Sequence, residues 1–146
     1  MNAGFNTHFL FAINEAAHQV SISSRPQWEM PRDKFGPTLL YITRLNYKLA
    51  IGSVGIDMND GEVRFKTTAT FGTASNIGPI LVNFMNSHVE YGKRYLEGFA
   101  AIKDNNASAE VALRVAGIHG GDSGGSGGAG TDAADVILRL LLMSIS

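Results

Sequence analysis

The chain has 146 residues, 45% hydrophobic and 17% charged, with a formal net charge of −1. That is one domain's length with enough apolar residue for a core. The charge is too small and too balanced to hold nucleic acid or an anionic membrane by its field. Cysteine is absent, which excludes disulfides, thiolate catalysis and cysteine-ligated metal.

Residues 1–7 carry no basic cluster leading into an apolar run, so no secretory signal is read. No apolar stretch approaches the roughly 18 residues a membrane span needs, and the expected location is cytoplasmic. From His8 onward Phe9, Phe11 and Ile13 alternate with Leu10 and Ala12, and Val20 and Ile22 alternate with Ser21 and Ser23. A period of two predicts two strands joined by a short turn. Residues 24–32, with Pro26 and Pro31, read as a loop. Leu39, Leu40, Ile42, Thr43 and Leu45 recur at helical spacing between Pro37 and Gly52, and Pro37 fits the first turn of that helix.

Val54, Ile56 and Met58 alternate, as do Val63, Phe65 and Thr67, on either side of Asn59-Asp60-Gly61. Those three residues tolerate positive φ and predict a hairpin, with Arg64 and Lys66 on its other face. Asn76 is the expected cap of a long helix, with Pro79 in its first turn. The apolar stripe from Ile77 to Ile102 would make a rod of roughly 40 Å. Gly92 and Gly98 weaken it and would let a second backbone approach, and a helix this long in so small a domain is a candidate dimer element. Ser108 caps a short helix ending near Ala116.

Eight of the 17 glycines fall between Gly117 and Gly130, a composition that behaves as a flexible tether with a span of roughly 20 Å. Residues 132–146 begin with Asp132 and Asp135, suited to a helix start, and continue through Val136, Ile137, Leu140, Leu141 and Ile145. This segment is apolar nearly all round, too short to span a membrane and insoluble if exposed. The chain thus divides into a domain (1–117), a linker (118–131) and an apolar helix (132–146).

Chemical motifs are few. The glycine run lacks the Gly-Lys-Ser/Thr of a phosphate loop and the strand that leads into one. The run from Asp57 to Glu62 has the acids of a calcium loop, but its glycine comes one position early and no glutamate closes the frame. Ser126 lies in a formal near-match to a nucleophile elbow inside the linker, where no strand-to-helix turn can present it. The four histidines form no His-x-x-x-His pair. His8 and His18 are expected to face each other across the first hairpin, a faint metal signal, and His88 reads as a packing histidine. No catalytic residue, metal or cofactor is expected.

The stretch Arg44-Leu45-Asn46-Tyr47-Lys48-Leu49-Ala50-Ile51-Gly52, followed by Gly55-Ile56-Asp57 and Asp60-Gly61-Glu62-Val63-Arg64-Phe65-Lys66-Thr67, resembles the YbjN family. Tyr91-Gly92-Lys93-Arg94-Tyr95-Leu96-Glu97-Gly98 sits where that family has Asp-Arg-Tyr-Leu-Pro, and Ala107-Ser108-Ala109-Glu110-Val111-Ala112 resembles its closing helix. The resemblance runs from about Phe9 to Gly117, closest in wording to cyanobacterial and plastid members. It implies the α+β fold of type III secretion chaperones of the CesT class, in which helices pack on an antiparallel sheet. It also implies a homodimer without a catalytic centre that binds segments of other proteins, in some members during carboxysome assembly.

Family members begin with a helix before the first strand and lack the glycine tether and Leu-rich tail. The expectation is therefore a non-enzymatic chaperone or adaptor that buries an apolar helix in a groove lined by Phe9, Phe11, Ile13, Val20 and Ile22. Its occupants would be Val136, Ile137, Leu140, Leu141 and Ile145, of a native tail or a fused client peptide. If the tail is instead a core helix, the protein is a structural scaffold whose partner surface lies elsewhere, for instance around Arg44, Tyr47 and Lys48. The alternative is a peripheral membrane adaptor anchored by the tail.

Overall fold

The structure is a computed structural model that describes residues 6–73 and 75–119. Two antiparallel hairpins form one sheet. β1 (Thr7–Asn14) and β2 (Gln19–Pro26) make the first, β3 (Ser53–Ile56) and β4 (Val63–Thr70) the second. The sheet order is β1-β2-β4-β3, antiparallel throughout. Helices α1 (Phe35–Lys48), α2 (Gly78–Asn105) and α3 (Ala109–Val115) complete an α+β domain. α2 packs over β2 and β4, α1 packs beside β3, and α3 fills the angle between the two longer helices.

Alternation decides which face is covered. Val20, Ile22 and Ser24 of β2 and Val63, Phe65 and Thr67 of β4 are buried towards the helices, while Arg64 and Lys66 point away. The main core gathers Tyr41 and Leu45 of α1, Val54 of β3, Phe65 of β4, and Tyr95, Leu96 and Phe99 of α2. A smaller cluster of Val20, Ile22 and Phe84 lies under the first half of α2.

The second hairpin turns through a six-residue loop, in which Asp57 N–H donates to Glu62 O at 2.8 Å and Gly61 N–H to Asp57 O at 2.7 Å. Gly61 has φ of 86°, and a Cβ there would strike the Met30 carbonyl. Met30 N–H donates to Gly61 O at 2.8 Å, which pins the preceding loop onto the turn. Ser108 caps α3, its Oγ accepting from Val111 N–H at 3.2 Å. Gly117, at φ of 83°, reverses the chain after α3, so that Ile118 N–H reaches Leu113 O at 2.8 Å, a Schellman ending.

Several expectations shift. β2 continues through Pro26, which the loop reading had excluded; Pro26 sits opposite Thr7 at the strand end, where a missing N–H is tolerated. Met58 lies in the turn, not the strand. Asn76 is not the cap of α2: the helix starts at Gly78 with Ile77 at the cap position and no side-chain cap bond, while Pro79 stays in the first turn. α1 buries Thr38, Tyr41 and Leu45 and leaves Leu39 and Leu40 exposed, because it is covered along one narrow stripe. Ile118, assigned to the linker, is buried in the main core, so the packed domain runs past 117. Residues 120–146, with the rest of the linker and the apolar segment, lie outside the described residues.

Candidate functional site

The five groove residues expected from sequence share one face of one hairpin. Phe9 pairs with Ser24, Phe11 with Ile22 and Ile13 with Val20, and directly opposed residues of an antiparallel pair project to the same side. Their environments differ. Val20 and Ile22 are buried under α2 beside Phe84. Phe9, Phe11 and Ile13 are 43%, 47% and 70% exposed, because among the described residues the helices stop at β2. The result is an apolar floor, closed along one side and open along β1. Leu10, 68% exposed, is the apolar residue on the opposite face of the same strand. The nearby half of α2 is also apolar on its outside, where Val82, Met85 and Val89 are exposed. The expected occupants Val136, Ile137, Leu140, Leu141 and Ile145 lie outside the described residues.

At the inner rim of this floor His88 descends from α2 onto the sheet. Its Nδ1 lies 2.7 Å from Thr67 Oγ1 on β4 and its Nε2 3.0 Å from Ser24 Oγ on β2. Its ring stacks on Phe65 at 4.8 Å between centroids and meets the edge of Phe9 at 6.2 Å. Burial lowers its pKa to about 4, so the ring is neutral at pH 7 and joins α2 to both central strands. Hydroxyl, imidazole and hydroxyl in line have the connectivity of a nucleophile, base and orienting group. All three side chains are buried and mutually satisfied, and in this state they form a structural tie. The sequence marked His88 as a packing residue; Thr67 lies far from it along the chain with only its inward strand phase as a signal, and Ser24 fell in a segment read as loop but belongs to β2.

Arg44 and Tyr47 are brought together elsewhere. They project from α1 into a cavity of about 570 Å³ between α1 and α3, whose other walls include Lys48, Leu113, Arg114 and Ile118. Arg44 reaches Glu110 at 3.4 Å, and Tyr47 is 91% exposed. Arg44, Lys48, Arg114 and Glu110 give it a mixed-charge rim over Leu113 and Ile118. Arg44, Tyr47 and Lys48 therefore line a concavity.

His8 and His18 do not meet. His8 pairs with Arg25 at the open end of the hairpin, its Nε2 2.8 Å from Gln27 Nε2, whereas His18 occupies the turn at φ of 49°. In this register the residue opposite His8 is Arg25, and His18 lies in the turn beyond the last strand pair, Asn14 with Gln19. Among the described residues no group of three or more His, Asp or Glu is placed to hold a metal, and no helix is long and apolar enough to cross a membrane. Gly92 and Gly98 serve neighbours within the chain: a Cβ at Gly92 would lie 2.9 Å from the Phe65 ring, and one at Gly98 would collide with the Tyr41 hydroxyl. These glycines admit aromatic side chains of the same chain, and only Gly98 also nears another backbone, at Ala112 O, 3.0 Å. No family model, curated protein or solved structure matches the chain.

Proposed function

We propose that this protein is a non-enzymatic chaperone or adaptor of YbjN type that takes an apolar helix onto the open β1 face, and that in the absence of a client the occupant is its own segment 132–146. The observation that carries this reading is the exposure of Phe9, Phe11 and Ile13 on the covered side of the sheet, continuous with buried Val20, Ile22 and Phe84. An apolar strip that size is a docking surface more often than an accident. The segment has matching chemistry in Val136, Ile137, Leu140, Leu141 and Ile145. Residues 120–131 extend to at most about 40 Å, enough to round a domain of this size, and the tether raises the local concentration of the segment to roughly millimolar. A partner's helix of the same character would compete for the face, which is how such a protein would hold a subunit during assembly.

Burial of five such side chains is worth about 7–15 kcal/mol gross, most of it offset by ordering the segment. Deleting residues 131–146 should lower the melting temperature by several degrees and cause aggregation through the bared face. Adding Phe11→Asp to the truncated chain should restore its solubility. Unchanged melting temperature, solubility and oligomeric state after the deletion would overturn the reading.

A further inference from the structure

The two edges of the sheet are finished differently. β3 is four residues long, and the Asn46 side chain covers it: Nδ2 donates to Val54 O at 2.9 Å and Oδ1 accepts from Val54 N–H at 2.8 Å. β1 is eight residues long, Thr-His-Phe-Leu-Phe-Ala-Ile-Asn, without a charge, proline or glycine. An edge of that length and composition is a template for another strand.

The direction of the groups that no described strand pairs follows from the register. Gln27 N–H donates to Asn6 O at 3.2 Å, which makes Asn6–Gln27 a hydrogen-bonded pair. Alternation then turns the backbone groups of His8, Leu10 and Ala12 towards β2, and those of Thr7, Phe9, Phe11 and Ile13 outward. The second strand interface agrees, since Phe71 N–H donates to His18 O at 2.8 Å, giving even-numbered β2 residues to β4 and odd-numbered ones to β1.

Width supplies the second argument. The described residues of a single chain leave one strand uncovered, a floor about 4.8 Å across, half the roughly 10 Å diameter of a helix. Two β1 strands side by side make a floor of about one helix's width.

We infer that the β1 edges of two copies pair antiparallel about a two-fold axis normal to the sheet, and that the helix-binding floor is complete only in this dimer. The axis keeps the helices of both copies on the same side, so the pair of uncovered strands lies between them. Outward groups at odd positions and full overlap of the strands centre the register on Leu10. Phe9 then exchanges hydrogen bonds with the partner's Phe11, and Thr7 with the partner's Ile13. Leu10 faces the partner's Leu10 on the opposite side, which covers an apolar residue that a helix on the floor cannot reach. This inference deepens the proposed helix-binding function and rests on it for the role of the floor; the strand pairing stands on the edge alone.

The absence of cysteine gives a clean test on the full-length chain. Opposed residues of a pair without mutual hydrogen bonds have Cα atoms about 4.5 Å apart, within reach of a disulfide. Leu10→Cys should form a covalent dimer in air, whereas Ala12→Cys, about 14 Å from its own copy in this register, should not. Leu10→Lys should convert a dimer of twice the chain mass, measured by light scattering, into a monomer with an unchanged circular dichroism spectrum. A monomeric wild type, or a dimer that survives Leu10→Lys, overturns the inference. Loss of the dimer claim leaves the truncation result standing; a cross-linked Leu10→Cys dimer with an inert truncation rejects helix binding and keeps the edge pairing.

Discussion

At the scale of single residues, contacts across the helix layer leave little slack. Tyr41 is fully buried on α1 and its hydroxyl donates to Tyr95 O at 2.7 Å. Burial and the neighbouring Tyr95 raise its pKa well above the ordinary range, which keeps the hydroxyl a donor. The ring also meets Phe99 edge-on at 4.9 Å. Gly98 lies on α2 between those two residues, and its missing side chain is the space the hydroxyl occupies. Gly98→Ala must push the ring aside, combining overpacking of about 1–3 kcal/mol with a weakened buried hydrogen bond of about 1 kcal/mol. The helical gain of alanine over glycine, about 1 kcal/mol, does not offset this. The variant should unfold at lower urea concentration, and Gly36→Ala, where a Cβ meets nothing within 4 Å, should not.

At the scale of elements, α1 and β3 share the main core, and one side chain adds a hydrogen-bonded link between them. Asn46 presents an amide to both backbone groups of Val54, in effect a one-residue strand added to the edge. Asn46→Ala should cost about 2 kcal/mol, from two lost hydrogen bonds and a partly exposed edge. Asn46→Asp, which keeps the acceptor only, should fall between alanine and wild type in chemical denaturation. The elements themselves were largely legible. Among the described residues, alternation located the four strands and helical spacing located α1 and α2, because each element buries one face and the apolar residues record it, while the Ser108 cap marked α3. Their ends were less so: Pro26 continues β2 and Asn76 leaves α2 uncapped, since both depend on what the neighbouring segment covers. Asn46 was part of a motif, yet its role waits on the position of β3.

At the scale of the whole molecule, His88 sets a pH dependence. Neutral in the fold with a pKa near 4 and near 6.5 when unfolded, it takes up a proton in the unfolded state first. Its contribution is therefore intact above pH 6.5 and is lost as the pH falls from about 6.5 towards 4. The loss approaches about 3 kcal/mol over that window. Urea denaturation at pH 7.5 and pH 4.5 should show this loss, and His88→Gln, less stable at pH 7.5, should show a smaller one. Failure of the layers to loosen in that window would mean that His88 is protonated in place.

The same three scales divide what each source of information settled. The sequence alone determined the α+β class, the order of elements and the shared inward phase of Phe9, Phe11, Ile13, Val20 and Ile22, because periodicity is a local property of the chain. Only the tertiary structure decided that α2 covers β2 and stops short of β1, leaving three of those five residues in the open. It alone placed Ser24, Thr67 and His88 within hydrogen-bonding distance, closed the β3 edge with Asn46 and gathered Arg44 and Tyr47 around a cavity. Each of these depends on where a helix lies relative to a sheet, a long-range choice fixed by the sum of packing and not by any one segment's pattern.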